Sequence, residues 1–400
     1  MPEPEAALDG GGAGRCGVLA TARRIVVFRA LPGLGDLLCW TPAMRALRSA
    51  APDAEIAFVG LPSASWVLDR FPSLVDRLVE FPGWPGLPEG DGDAATTTAF
   101  LGALQAERFD LAIQMHGSGL LTNPLVALFG ARRTAVAHLP GGYVPDPELA
   151  IAYPSHAHEI HRHLVLTSAL GAPDLGDGLT FPVSERDEEE VASALTSEDL
   201  HRAQVAVLHP GASHDHRCWP PERFAAVADA LHERGLRVVL TGVESERPVT
   251  TTVAAACRNP VTDLTGRTSL GALAALVAHA HVVVCNDTGI SHLAAALRTP
   301  SVVVFTHSDP TRWAPLATEL HRAVVDASVE GNRCSHAGDS HRCLGDGCLG
   351  PPPRPSTVPV TPDDVVAQVD ALLAPTRPRG PGSPDGRSCS PSRRSCAPGR

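Results

Sequence analysis

Residues 281–299 read HVVVCNDTGISHLAAALRT. A run of β-branched residues without polar interruption passes through a short polar loop into an amphipathic helical stretch. A strand that is apolar on both faces belongs inside a parallel sheet covered by helices. The same unit recurs on either side. PSVVVFT (300–306) follows it, and VTDLTG (261–266) with the helical SLGALAALVAHA precedes it. Further upstream stand QVAVLHPG (204–211), the helix PERFAAVADALHERG and the strand LRVVLTG (236–242). A Glu-rich helix near 185–196 interrupts the series. Before it lie RIVVF (24–28), a glycine loop, the helical DLLCWTPAMRALRSAAP, then AEIAFVG (54–60), DLAIQM (110–115) and RTAVA (133–137). Two such runs predict an α/β protein of two Rossmann-like domains, parallel sheets facing across a ligand cleft.

The expected boundaries are an N-terminal tail over 1–21, a first domain over 22–185 and a linker region over 186–203. A second domain over 204–350, a linker and helix over 351–375 and a basic tail over 376–400 complete the chain. TPDDVVAQVDALLA (361–374) reads as a helix with Thr361 as N-cap and Pro362 at its first position, expected to pack back across the domains. Both tails are expected to be disordered. The last carries six arginines against one aspartate among Pro, Gly and Ser, too little apolar surface to fold. Its charge allows at most a peripheral contact with anionic lipid.

Four hundred residues exceed one ordinary hydrophobic core, which agrees with two domains. A net charge of −11 argues against broad nucleic-acid binding. Lysine is absent, so any cationic site must use arginine or histidine. The acidic start MPEPEAALDGGGAG lacks the basic region and apolar core of a secretory signal. No run of 18 apolar residues exists. The ten cysteines are scattered, several within strand-like or helix-like segments such as Cys39, Cys257 and Cys285. Small core residues in a reduced compartment are the reading, and a cytoplasmic monomer is the expectation.

Three loops at strand ends carry candidate chemistry. Gly33-Leu34-Gly35-Asp36 follows the first strand, so its glycines allow close approach of an acceptor and Asp36 can serve as general base for a hydroxyl. Capping of the helix by Asp36 is the competing reading. His209-Pro210-Gly211-Ala212-Ser213 leads to Arg217-Cys218-Trp219-Pro220. There Ser213 and backbone N–H groups suit phosphate oxygens, and Arg217 suits a departing diphosphate. Arg217 could instead pair with a surface carboxylate, and Trp219 reads as packing. In Asn286-Asp287-Thr288-Gly289-Ile290-Ser291-His292, the helix start at Thr288 and Gly289 is an anion site. Asp287, which would repel phosphate, reads as a helix cap or a sugar-hydroxyl contact. His292, one turn in, could donate to a phosphate or sugar oxygen, or be structural. His116, in Gln114-Met115-His116-Gly117-Ser118, lies where an acceptor should bind and is equally readable as a buried structural residue.

Together these pieces resemble glycosyltransferase family 9, the ADP-heptose and lipopolysaccharide-type heptosyltransferases. GLGDLLCWTPAMRALR, DLAIQMHGSG, HPGAS with RCWPPERFAAVADAL, VVLTGVESE and VVVCNDTGISHLAAALRTPSVVVFT carry the resemblance, which covers 24–374. It implies a GT-B fold and an inverting, metal-independent transfer from a nucleotide-sugar donor to a glycan, lipid-linked glycan or small-molecule acceptor. It places the base on Asp36, acceptor contacts around Gly33, Gly35 and His116, and the phosphate cation on Arg217, where many relatives have lysine. The donor motif falls on Asp287, Thr288, Gly289, Ser291 and His292. A ribose-binding glutamate falls on Glu246 or Glu244, with Glu246 favoured.

No cofactor and no metal are expected. His156, His158, His161 and His163 invite a zinc reading, but His-x-His spacing on one loop lacks a further ligand. Cys334, Cys343 and Cys348 lack a fourth. Asp91-Gly92-Asp93 is the only Asp-x-Asp and lies in a Gly-rich loop far from the donor motifs. Two other functions share such a fold: a sugar-nucleotide epimerase or hydrolase, and a non-catalytic nucleotide-sugar binding module. A base on the acceptor side argues against both.

Overall fold

A computed structural model describes residues 17–90, 92–195, 204–326 and 359–374. Asp91, the three cysteines at 334, 343 and 348 and the 376–400 tail lie outside the described residues.

The strands are β1 Arg24–Phe28, β2 Glu55–Gly60, β3 Arg77–Glu80, β4 Leu111–Gln114, β5 Arg133–His138 and β6 Ala150–Ala152 in the first unit. The second unit holds β7 Gln204–His209, β8 Leu236–Leu240, β9 Thr262–Asp263, β10 Val282–Asn286, β11 Ser301–Phe305 and β12 His321–Val325. The orders are β3-β2-β1-β4-β5-β6 and β12-β11-β10-β7-β8-β9. Every strand pairing is parallel. Both sheets therefore follow the doubly wound order, and each reverses direction once, between β1 and β4 and between β7 and β10. Ligands of such sheets bind outside the carboxyl ends of the strands at that reversal.

Seven helices matter to the site: α1 Leu34–Ala50, α2 Glu159–Ala169, α3 Glu185–Ala194, α4 Pro221–Glu233, α5 Leu270–His279, α6 Gly289–Leu297 and α7 Pro362–Leu373. In α1, the side chains from Leu37 to Met44 are all buried, because the helix packs against α2 of its own unit and against α6 of the other. One continuous apolar cluster runs from Ile25 and Val27 of β1 to Val207 and Val283 of the second sheet. The two units thus share a core.

Two expectations change. Val18–Thr21, inside the expected 1–21 tail, forms a helical turn with Leu19 buried, because Leu19 and Ala22 join the shared core. The Glu-rich helix expected near 185–196 is α3, whose capping box pairs Ser184 with Asp187. That helix packs on α5, and Arg70 of the first unit grips Asp187. Finally, α7 packs on α4, β11 and β12 of the second unit rather than across the two. Arg234 and Asp370 tie α7 to the end of α4 by a bidentate contact at 2.7 and 2.9 Å.

Candidate active site

The three loops predicted from the sequence sit at the two sheet reversals. Residues 29–36 and 115–119 leave β1 and β4, while 210–219 and 287–289 leave β7 and β10. The starts of α1 and α6 meet end to end. A Cβ on Gly35 would lie 2.6 Å from Cδ2 of His292, and one on Gly289 would lie 2.8 Å from Cβ of Leu34. Two positive helix ends therefore converge on one spot, which favours negative charge there.

Asp36 is the third residue of α1. The N-cap is Gly33, which makes no side-chain cap bond. The Asp36 carboxylate folds back over Gly33, where a Cβ would come within 2.2 Å of Oδ2. Its carboxylate remains 25% exposed. Beneath it, the fully buried Arg29 donates from Nε and Nη2 to the Asp36 carbonyl at 3.0 and 2.8 Å, and from Nη1 to the Met115 carbonyl. Arg29 Nη2 lies 3.8 Å from Asp36 Oδ1. Sequence reasoning missed Arg29, which reads as an ordinary charge at a strand end.

His116 is 1% exposed. Its Nδ1 accepts from the Ala30 N–H at 3.1 Å, its ring stacks on Phe28, and Nε2 lies 3.5 Å from Glu89 Oε1. The ring holds the loop after β1 from below, so it shapes that loop rather than lining the cleft.

In the second unit, Asn286 organises the loop. Its Oδ1 accepts from Trp219 N–H and its amide donates to the Pro210 carbonyl. Trp219 is buried, donates from Nε1 to the Val360 carbonyl and packs on Phe224. Ser213 is exposed and Arg217 half-buried on a tight turn. Arg217 Nε is buried with no hydrogen-bond partner among the described residues, and the surface carboxylate proposed as its alternative partner is not among them. Thr288 is the N-cap of α6 and makes no side-chain cap bond, which leaves the hydroxyl and the helix-end N–H groups for a ligand. Asp287 is not the cap. Burial pushes its carboxyl up, with a Ser308 hydrogen bond and the Arg217 charge offsetting part of that.

His292 is buried, and burial, followed by the neighbouring His158, pulls its pKa down to about 4. It is a neutral ring at pH 7. Burial also keeps the Cys39 thiol protonated, and its Sγ lies 3.4 Å from His292 Nδ1. The opposite edge of the ring, Cδ2 and Nε2, faces Gly35. His292 joins the two units, and its ring brings no positive charge to a phosphate.

Glu246 and Glu244 separate clearly. Glu244 is exposed and paired with Arg247 at 2.5 and 2.7 Å. Glu246 turns inward against Gly211, accepts from Val243 N–H at 2.8 Å and lies 3.6 Å from His209 Nε2. Of the four clustered histidines, three take separate partners. His158 caps α2 and donates from Nε2 to the Ala314 carbonyl, His161 meets Asp177, and His163 meets Glu159. Asp93 caps the helix Ala94–Glu107.

The sequence profile of glycosyltransferase family 9 (heptosyltransferase) matches residues 97–343. The chain belongs to glycosyltransferase family 9. It is similar to lipopolysaccharide heptosyltransferase 3 of Escherichia coli K12, 27% identical over 288 residues that cover 70% of this chain and 82% of that one. Among solved structures, E. coli ADP-heptose lipopolysaccharide heptosyltransferase II matches with TM-score 0.63 at 22% identity, covering 88% of this chain and 98% of the other. A family 9 glycosyltransferase from Veillonella parvula matches with the same TM-score, 0.63, at 22% identity, covering 76% and 85%. The fold is GT-B and the protein is a glycosyltransferase.

Among the described residues, no helix of this glycosyltransferase is long and apolar enough to cross a membrane.

Proposed function

We propose that the enzyme acts in the cytoplasm as an inverting, metal-independent transferase. It moves a heptose or related sugar, from ADP-heptose before other donors, to a hydroxyl of a glycan, a lipid-linked glycan or a small metabolite. The observation that carries this reading is the meeting of the α1 and α6 starts at Gly35 and Gly289, with Asp36 on one side and the unpaired Arg217 Nε on the other. The printed names of the similar E. coli enzymes support the choice of donor and of a lipopolysaccharide-type acceptor.

In the proposed reaction the acceptor oxygen attacks the anomeric carbon from the face opposite the diphosphate. The new C–O bond forms as the anomeric C–O bond to phosphate breaks, so one displacement inverts the centre. Asp36 takes the hydroxyl proton. Arg217, the Ser213 hydroxyl and the N–H groups at Thr288 and Gly289 take the charge of the leaving diphosphate. An arginine and a helix end carrying about half a positive charge supply that stabilisation from the chain itself. Glu246 holds the ribose hydroxyls.

Donors bearing ADP, UDP or GDP should be offered with a heptose-deficient lipopolysaccharide acceptor and the anomeric product read by NMR, in excess EDTA. Inverted product from ADP-heptose, unchanged by Mg²⁺ or Mn²⁺, is expected. Retention at the anomeric centre, or activity lost in EDTA and restored by Mn²⁺, would overturn the mechanism.

A further inference from the structure

Glu159, the first residue of α2, is a 4% exposed carboxylate between the two units. Its Oε1 accepts from Arg29 Nη2 and faces His163 Nε2, each at 3.3 Å. Its Oε2 accepts from Arg162 Nη1 at 3.3 Å and from Arg312 Nε and Nη2 at 3.0 and 2.9 Å. Arg29, Arg162 and His163 belong to the first unit. Arg312 comes from the second, on the turn Pro310–Trp313 that follows β11. The adjacent His158 bonds to the Ala314 carbonyl of the same segment, and Trp313 stands edge-on to His292. A buried carboxylate is costly unless paired, and here burial is outweighed by Arg312, His163 and Arg29, which hold the Glu159 carboxyl well below its usual range.

The chain of contacts has a direction. Arg312 on the donor side meets Glu159, Glu159 meets Arg29, and Arg29 holds the Asp36 carbonyl and lies beside its carboxylate. We propose that Glu159 is a positioning residue for Asp36, and that Arg312 sets it across the interface, so that Asp36 acquires its working proton affinity only when the donor unit is closed on the acceptor unit. The consequence for catalysis rests on the reading of Asp36 as base; the coupling itself does not. When Arg312 leaves, Glu159 draws more strongly on Arg29, and the Asp36 carboxylate loses part of its cationic neighbour. The other charged and titratable groups nearby are Arg162 and His163 on α2, Cys39 on α1, and His292 and Asp287 from the second unit.

The test follows the carboxyl carbon of Asp36 by ¹³C NMR through a pH titration of the full chain, in a double-mutant cycle. Arg312→Gln should raise the midpoint by about half a pH unit or more, and Glu159→Gln should lower it. In the Glu159→Gln background the effect of Arg312→Gln should fall to less than half, because the route through Glu159 is gone. Arg312→Lys should restore most of the wild-type midpoint. If Glu159→Gln does not fold, Glu159→Asp, which withdraws the carboxylate by one methylene, takes its place. An equal shift from Arg312→Gln in both backgrounds means direct action at a distance and overturns the proposal, as does no shift in either. The base reading is tested separately, since an active Asp36→Asn would sink that reading while leaving the titration result standing.

Discussion

Asp36 lies at the end of α1 without being its cap, and that separates two effects one substitution could have. Asp36→Asn keeps the size of the side chain over Gly33 and the backbone carbonyl that Arg29 grips. Turnover should fall by roughly 10²–10⁴-fold, the usual worth of a general base, with ADP affinity and melting temperature almost unchanged. An early-melting variant with near-normal turnover would reduce Asp36 to a helix-end residue. Arg217 offers a second test. Arg217→Ala should weaken ADP binding by about 1.5–3 kcal/mol in calorimetry, as a lost charged hydrogen bond. Arg217→Lys should recover part of that, without the bidentate geometry. Equal ADP affinity in wild type and Arg217→Ala would take the residue out of the site. Asp36, Arg217 and Glu246 could be singled out as candidates because each lies in the loop after a recognisable strand. Arg29, Glu159 and Arg312 were not. Their partners lie 130 and 153 residues away, so in sequence they look like solvated charges.

The elements that meet at the site are two helix starts, and glycine is what lets them touch. At Gly35 an added methyl would enter the buried His292 ring, which has no free space to swing into. Gly35→Ala should therefore cost about 1–3 kcal/mol by overpacking and part the two helices, seen as a larger radius of gyration in small-angle scattering. Gly102, in the exposed part of the helix Ala94–Glu107, meets nothing within 4 Å, so Gly102→Ala should stabilise by roughly 0.5–1 kcal/mol. Unchanged scattering for Gly35→Ala would mean the interface gives way elsewhere. Apart from the two-residue edge strand β9, the strands that sequence periodicity identified are flanked on both sides by neighbours, with continuous burial such as that of β10 and β11. The missed ones, β3, β6 and β12, are all sheet edges, and all are partly exposed. An edge strand needs no long apolar run, so RLVE or AIA carries no readable signal.

At the scale of the molecule, closing one unit on the other buries titratable groups, and this makes stability depend on pH in a definite direction. His292 lies at the junction of the units, and His321 opens the edge strand β12, its Nδ1 2.8 Å from Ser301 Oγ of β11. Burial pulls both rings down to about 4. An unfolded histidine titrates near 6.5, so between about 6.5 and 4 the unfolded chain holds more protons than the folded one. The stabilisation is complete above 6.5 and is lost as pH falls towards 4, by roughly 3 kcal/mol at most for each ring. Asp287 works against this, because its carboxyl is pushed up and favours the folded state as protons are added. Burial also lowers His158, His209, His216 and His307, so several rings oppose one raised carboxyl and the net slope should be positive. Urea unfolding at intervals from pH 7 to pH 4 should show stability falling with pH, and His292→Gln should flatten the fall by removing one of its sources. If opening precedes unfolding, scattering at pH 4.5 should show the wild type expanded while its far-ultraviolet circular dichroism stays native, since His292 is a contact between units. A wild type equally stable at pH 7 and 4.5, or a slope that His292→Gln leaves unchanged, would mean that the ring is not held neutral by the closed interface.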